Sequence, residues 1–250
     1  MQERDIILTT PDGELPVFVV QPDGAAVCPP VIFYMDALGI REELREMARR
    51  IAAQGYLCLL PDLYYRSGLH RFDFRRGNAP LLPVARALLG QLTTARVTSD
   101  TEAMLAWIDG EATAAPGPVG CVGHCMSGQF VTTVMARFPQ RMAAGVSMYG
   151  TALVTDAADS PHRLLPLVRG ELHYAFGGRD DMIPAPVREA LRQALDGAGT
   201  VYTWTVFPDA GHGFAFPQRP AYDATAAESS WATLFDLFRR TLHPHQPDPA

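Results

Sequence analysis

Runs of apolar residues broken by turn residues divide this chain into an alternation of strands and helices. Residues 5–9 and 15–21 are β-rich and flank Pro11-Asp12-Gly13, a turn signal that predicts an opening hairpin. Residues 31–35 follow a double proline and are uniformly apolar, the pattern of a strand buried on both faces. From 42 to 54 the period becomes helical: Leu44, Met47, Ala48 and Ile51 share one stripe. Gly55 stops that helix, and 56–60 is a second buried strand. Beyond it the pattern predicts helices over 100–108, 126–137, 185–195 and 221–242. Strands are predicted over 119–122, 145–149, 172–176 and 201–207.

The segment 64–98 fits this rhythm poorly. Its charges are mixed, Pro80 and Pro83 interrupt it, and only 84–92 has helical character, so it reads as a cap-like excursion over the sheet. The alternation elsewhere implies an α/β fold: a mostly parallel central sheet with helices on both faces. In such sheets ligands and chemistry gather beyond the carboxyl ends of the strands. No linker or repeat divides the 250 residues, so a single domain over 1–250 is expected.

Composition narrows the function. At 48% hydrophobic residues the chain has enough apolar material for a packed core. Its net charge is −6, and the basic residues are scattered apart from Arg49-Arg50, Arg75-Arg76 and Arg239-Arg240, which argues against nucleic acid as a partner. Apolar runs such as 56–60 are far too short to span a membrane. The charged start Met1-Gln2-Glu3-Arg4-Asp5 is unlike a signal peptide. Of the cysteines at 28, 58, 121 and 125, two lie inside apolar runs, and the spacing of Cys121 and Cys125 is neither CxxC nor a zinc pattern. A reduced, cytoplasmic protein without structural metal is expected, as a monomer or homodimer.

The strongest chemical signal is Gly123-His124-Cys125-Met126-Ser127-Gly128, placed between a strand and a helix. A nucleophile elbow needs small residues two before and two after the nucleophile, because its tight turn crowds those neighbours. Gly123 and Ser127 fill those places around Cys125. Ser127 in its own frame lacks glycine on both flanks and is rejected as nucleophile. A thiolate is the reactive form of cysteine, and a following helix N-terminus favours it. The Met126 N–H would face a developing oxyanion. Further along, Gly177-Gly178-Arg179-Asp180-Asp181 and Asp209-Ala210-Gly211-His212-Gly213-Phe214 each follow a predicted strand. The order nucleophile, acid, histidine is that of the α/β-hydrolases. Asp180 is preferred to Asp181 because it comes first after the turn, and His124 is read as a packing residue.

These motifs resemble the dienelactone hydrolase family, as do Ile183-Pro184-Ala185-Pro186, Gln54-Gly55-Tyr56 and Pro61-Asp62-Leu63-Tyr64. The likeness spans nearly the whole chain. It implies an α/β-hydrolase fold, no cofactor, and Cys125, Asp180 and His212 as a triad acting through a thioester on an ester or lactone. An acid near the cysteine, usually glutamate in the family, falls here on Asp36, and the next N–H, from Ala37, would be the second oxyanion donor. One departure bears on substrate. The family arginine four residues after the histidine, which binds a substrate carboxylate, is Phe216 here. An aromatic wall predicts neutral, apolar substrates, unless Arg219, Arg71, Arg75 or Arg76 reaches the same space. A thioesterase or acyltransferase with the same triad, and a silent hydrolase-fold binding protein, are the competing readings.

Overall fold

The chain opens with the hairpin that its turn signal dictates. Strands β1 (Gln2–Thr10) and β2 (Gly13–Gln21) pair antiparallel with Thr10 opposite Gly13. Gly13 takes φ 132°, a conformation that side chains resist. In this computed structural model residues 1–24, 27–68 and 83–243 are described. They divide into two units, one within 1–116 and one within 117–243.

In the first unit the strand order is β1-β2-β4-β3, with β3 at Pro30–Tyr34 and β4 at Leu57–Pro61. β4 runs antiparallel to β2 and parallel to β3. Both β3 and β4 are buried along their whole length, which is why they read as unbroken apolar runs. Helix α1 (Glu42–Ala52) joins them and buries Leu44, Met47, Ala48 and Ile51. A single 3₁₀ turn at Tyr65–Ser67 follows β4. Helices α2 (Pro83–Gln91) and α3 (Thr94–Gly110) complete the unit. Arg66 from the 3₁₀ turn makes a two-armed contact with buried Asp100 of α3, at 2.8 and 2.9 Å.

α3 begins six residues before the predicted start at 100. Its first turns are mostly polar, with Val97 their one buried apolar residue, yet Thr93 caps them by accepting a hydrogen bond from the Arg96 N–H. Of the excursion expected over 64–98, residues 69–82 lie outside the described residues.

In the second unit four strands lie side by side and parallel in the order β5-β6-β7-β8. They are β5 (Val119–His124), β6 (Met142–Met148), β7 (Glu171–Gly177) and β8 (Tyr202–Phe207). The intervening helices are α4 (Gly128–Arg137), the four-residue α5 (Pro161–Leu164) and α6 (Ala185–Ala198), with α7 (Ala224–Leu242) last. α5 is too short to leave a periodic trace in the sequence. Glycines bring helices onto both faces of these strands. A Cβ at Gly120 would meet Leu242 and Phe238 of α7, whereas one at Gly145, beside Cys121 in the register, would meet Val131 and Met135 of α4. No helix among the described residues is long and apolar enough to cross a membrane.

Candidate active site

Three strand ends of the second unit carry the residues singled out by motif. β5 ends at His124, and Cys125 follows at φ 56°, in the left-handed region that a side chain tolerates poorly. The helix does not start at once: Cys125–Ser127 form a 3₁₀ turn before α4. The turn folds so tightly that a Cβ on Gly123 would stand 2.7 Å from the Ser127 carbonyl oxygen. That contact is the physical reason for glycine two residues before the cysteine. The loops after β7 and β8 supply Asp180 and His212.

These side chains meet. His212 Nε2 lies 3.1 Å from Cys125 Sγ, and His212 Nδ1 lies 2.8 Å from Asp180 Oδ2. Asp180 is 3% exposed and also accepts the Met182 N–H at 2.9 Å, while Asp181 is exposed. Cys125 is 8% exposed. Burial pushes the imidazole of His212 down, but its hydrogen bonds to Asp180 and Cys125 and the charges of both outweigh burial and raise it to about 9. A relay from carboxylate to imidazole to thiol can move a proton off sulfur and return it to a leaving group. The other three cysteines are free and buried, and burial raises Cys28, Cys58 and Cys121.

Asp36 and Ala37 belong to the first unit. The Asp36 carboxylate is fully buried and bound by Arg41 at 2.6 Å and by the Leu38 N–H at 3.2 Å. Arg41, the N-cap residue of α1, also reaches Glu43 at 2.6 Å. The Ala37 carbonyl accepts the Tyr64 hydroxyl at 2.9 Å.

Phe216 is 0% exposed, so in this structure it offers no surface to a substrate. Its ring packs on His124 with centroids 5.2 Å apart, in keeping with a packing role for that histidine. The Arg219 guanidinium lies 4.2 Å from the centre of the Phe216 ring, on the side of Gly213, next to His212. Arg71, Arg75 and Arg76 lie outside the described residues. Motif reasoning missed Tyr149. Its ring stands edge-on to His212, with centroids 5.2 Å apart. Its position just past the carboxyl end of β6 was the available signal, because those ends collect functional groups.

Known proteins resemble this chain over most of its length. The model of the dienelactone hydrolase family matches residues 15–242. A protein of Escherichia coli K12, provisionally named a carboxymethylenebutenolidase, is 30% identical over 85% of this chain and 77% of its own. The carboxymethylenebutenolidase of Pseudomonas putida is 26% identical over 91% and 92%. A crystal structure from Klebsiella pneumoniae, provisionally named a dienelactone hydrolase, superposes with a TM-score of 0.85 at 24% identity, covering 96% of this chain and 98% of that one. The fold is therefore the α/β-hydrolase fold that the family resemblance implied.

Proposed function

From the premise that the chain belongs to the dienelactone hydrolase family, we propose that it hydrolyses carboxylic esters or lactones with Cys125 as nucleophile, His212 as base and Asp180 as its orienting acid. The observation that carries this reading is the unbroken contact Cys125 Sγ to His212 Nε2 to Asp180, at 3.1 and 2.8 Å. Sγ attacks the acyl carbon as its proton passes to Nε2. Collapse of the tetrahedral adduct breaks the C–O bond, and the proton goes to the departing alkoxide, which in a lactone stays tethered to the acyl chain. Water then gives its proton to Nε2, adds to the thioester and releases the acid, while the proton returns to sulfur. The N–H groups of Met126 and Ala37 are assigned to the oxyanion, and Asp36 to control of the thiol proton, on motif resemblance.

Substrate binding is assigned to Arg219, with Phe216 in a supporting role beneath it. The ring is buried and serves as the platform for the guanidinium. The names of the relatives point to a carboxylated lactone, and Arg219 supplies a cation where the +4 arginine is absent. The neutral preference expected from Phe216 alone gives way to this arrangement.

One alkylating equivalent should abolish hydrolysis of a p-nitrophenyl ester and label Cys125. Cys125→Ala should be inactive and Ser127→Ala largely active. Full inactivation with Cys125 unmodified, by mass mapping, would sink the assignment.

A further inference from the structure

Leaving β6 at Met148, the backbone enters a short strut, Tyr149-Gly150-Thr151, that touches the backbone of Cys125 and the ring of His212. The Thr151 N–H donates to the Cys125 carbonyl at 2.9 Å. Gly150 presses on the start of α4, so that a Cβ on Gly128 would fall 2.2 Å from the Gly150 Cα. The Tyr149 N–H donates to the Ala175 carbonyl of β7 at 2.7 Å, which ties the strut to the strand that leads to Asp180. Tyr149 itself sits at φ 39°. A residue with a side chain holds such a conformation only where its surroundings over-determine it, and such residues cluster at functional sites.

The ring of Tyr149 is fully buried and meets His212 at an interplanar angle of 70°. Phe214, at 4.9 Å and 71°, backs it on another side, and His124 stands 5.6 Å away. Hydrogen bonds at Nδ1 and Nε2 fix the line along which the imidazole lies but leave the ring free to tilt about that line. A rigid aromatic neighbour placed edge-on removes the tilt.

We propose that Tyr149 is a positioning residue for the hydrolytic reaction: its ring holds the His212 imidazole in the orientation that links Asp180 to Cys125, while Thr151 of the same strut holds the nucleophile's backbone. This rests on the triad reading. Tyr149→Leu keeps apolar bulk but loses the plane, whereas Tyr149→Phe keeps the plane. Misplacing a catalytic group by about 1 Å can cost about 10²-fold. Accordingly kcat of Tyr149→Leu should fall on the order of 10- to 100-fold, with KM changed less than about threefold. Tyr149→Phe should retain kcat within about threefold of wild type. Alkylation of Cys125 by iodoacetamide should slow in the leucine variant, because the thiolate depends on a well-placed base. Tyr149→Met, which also lacks a plane, replaces the leucine variant if that one does not fold. A folded leucine or methionine variant with wild-type kcat overturns the proposal, as does a phenylalanine variant as impaired as they are. Cys125→Ala separates the two levels. If it is inactive while Tyr149→Leu is normal, only the positioning role falls; if it is active, the triad falls and the positioning role with it.

Discussion

At Asp36 a single carboxylate is claimed by two jobs. Arg41 holds it at 2.6 Å with both side chains largely withdrawn from water. Breaking a buried ion pair by removing one charge typically costs about 3–5 kcal/mol. The proposed function assigns it a second job, control of the Cys125 proton, and general acid–base groups contribute about 10²- to 10⁴-fold to rate. Asp36→Asn should therefore stay folded with a lowered melting temperature and lose at least about 10²-fold in kcat. A variant that melts earlier but turns over at the wild-type rate would leave Asp36 as the anchor of Arg41 and nothing more. The family resemblance pointed to the acid near the cysteine, but the guanidinium five residues later is a partner that only the folded loop supplies.

Among the elements, β7 carries a buried group that resists protonation. His173 is 1% exposed, its Nδ1 meets the Thr203 hydroxyl of β8 at 2.7 Å, and its Nε2 is buried without a hydrogen-bond partner among the described residues. Burial pushes its imidazole down to about 4, against a slight upward pull from Glu171. The native state therefore favours the neutral ring. Above the unfolded value of about 6.5 this group imposes no penalty, since it is neutral whether the chain is folded or not. As pH falls from there toward 4, the unfolded chain gains a proton that the native chain refuses, and stability is lost. The loss approaches about 3 kcal/mol at its limit. Urea unfolding at pH 7 and pH 4.5 should show the decline, and His173→Gln should flatten it. An equally steep decline in that variant would place the acid sensitivity elsewhere. β7 is buried from Leu172 to Gly177, but the partner of His173 Nδ1 comes from the neighbouring β8, which the β7 sequence does not encode.

For the whole molecule, with its net charge of −6, an anionic substrate needs a local cation against an unfavourable overall field. Arg219 on its Phe216 platform is that cation in the proposed function. A charge-assisted hydrogen bond is worth about 1.5–3 kcal/mol, or roughly 10- to 100-fold. Arg219→Met should lower kcat/KM by about that factor for a carboxylated lactone, and change a matched lactone without the carboxylate by less than threefold or so. Equal losses on both lactones would make Arg219 a packing residue of Phe216. A wild-type preference for the neutral lactone would return the choice to the aromatic character of this region.

Local physics made much of this protein readable in one dimension. Uniform apolar runs marked β3 and β4, because strands covered on both faces have no polar side to display. Gly123 and Ser127 marked the elbow, because steric crowding in a tight turn selects small residues whatever surrounds it. The polar start of α3 and the brief α5 stayed hidden, since a cap and a single turn leave no period to detect. Tertiary structure decided what pattern could not. It withdrew Phe216 from the surface, laid Arg219 across it and turned Tyr149 onto His212. Those outcomes depend on side chains far apart in the chain competing for one volume, and no local spacing records which of them prevails.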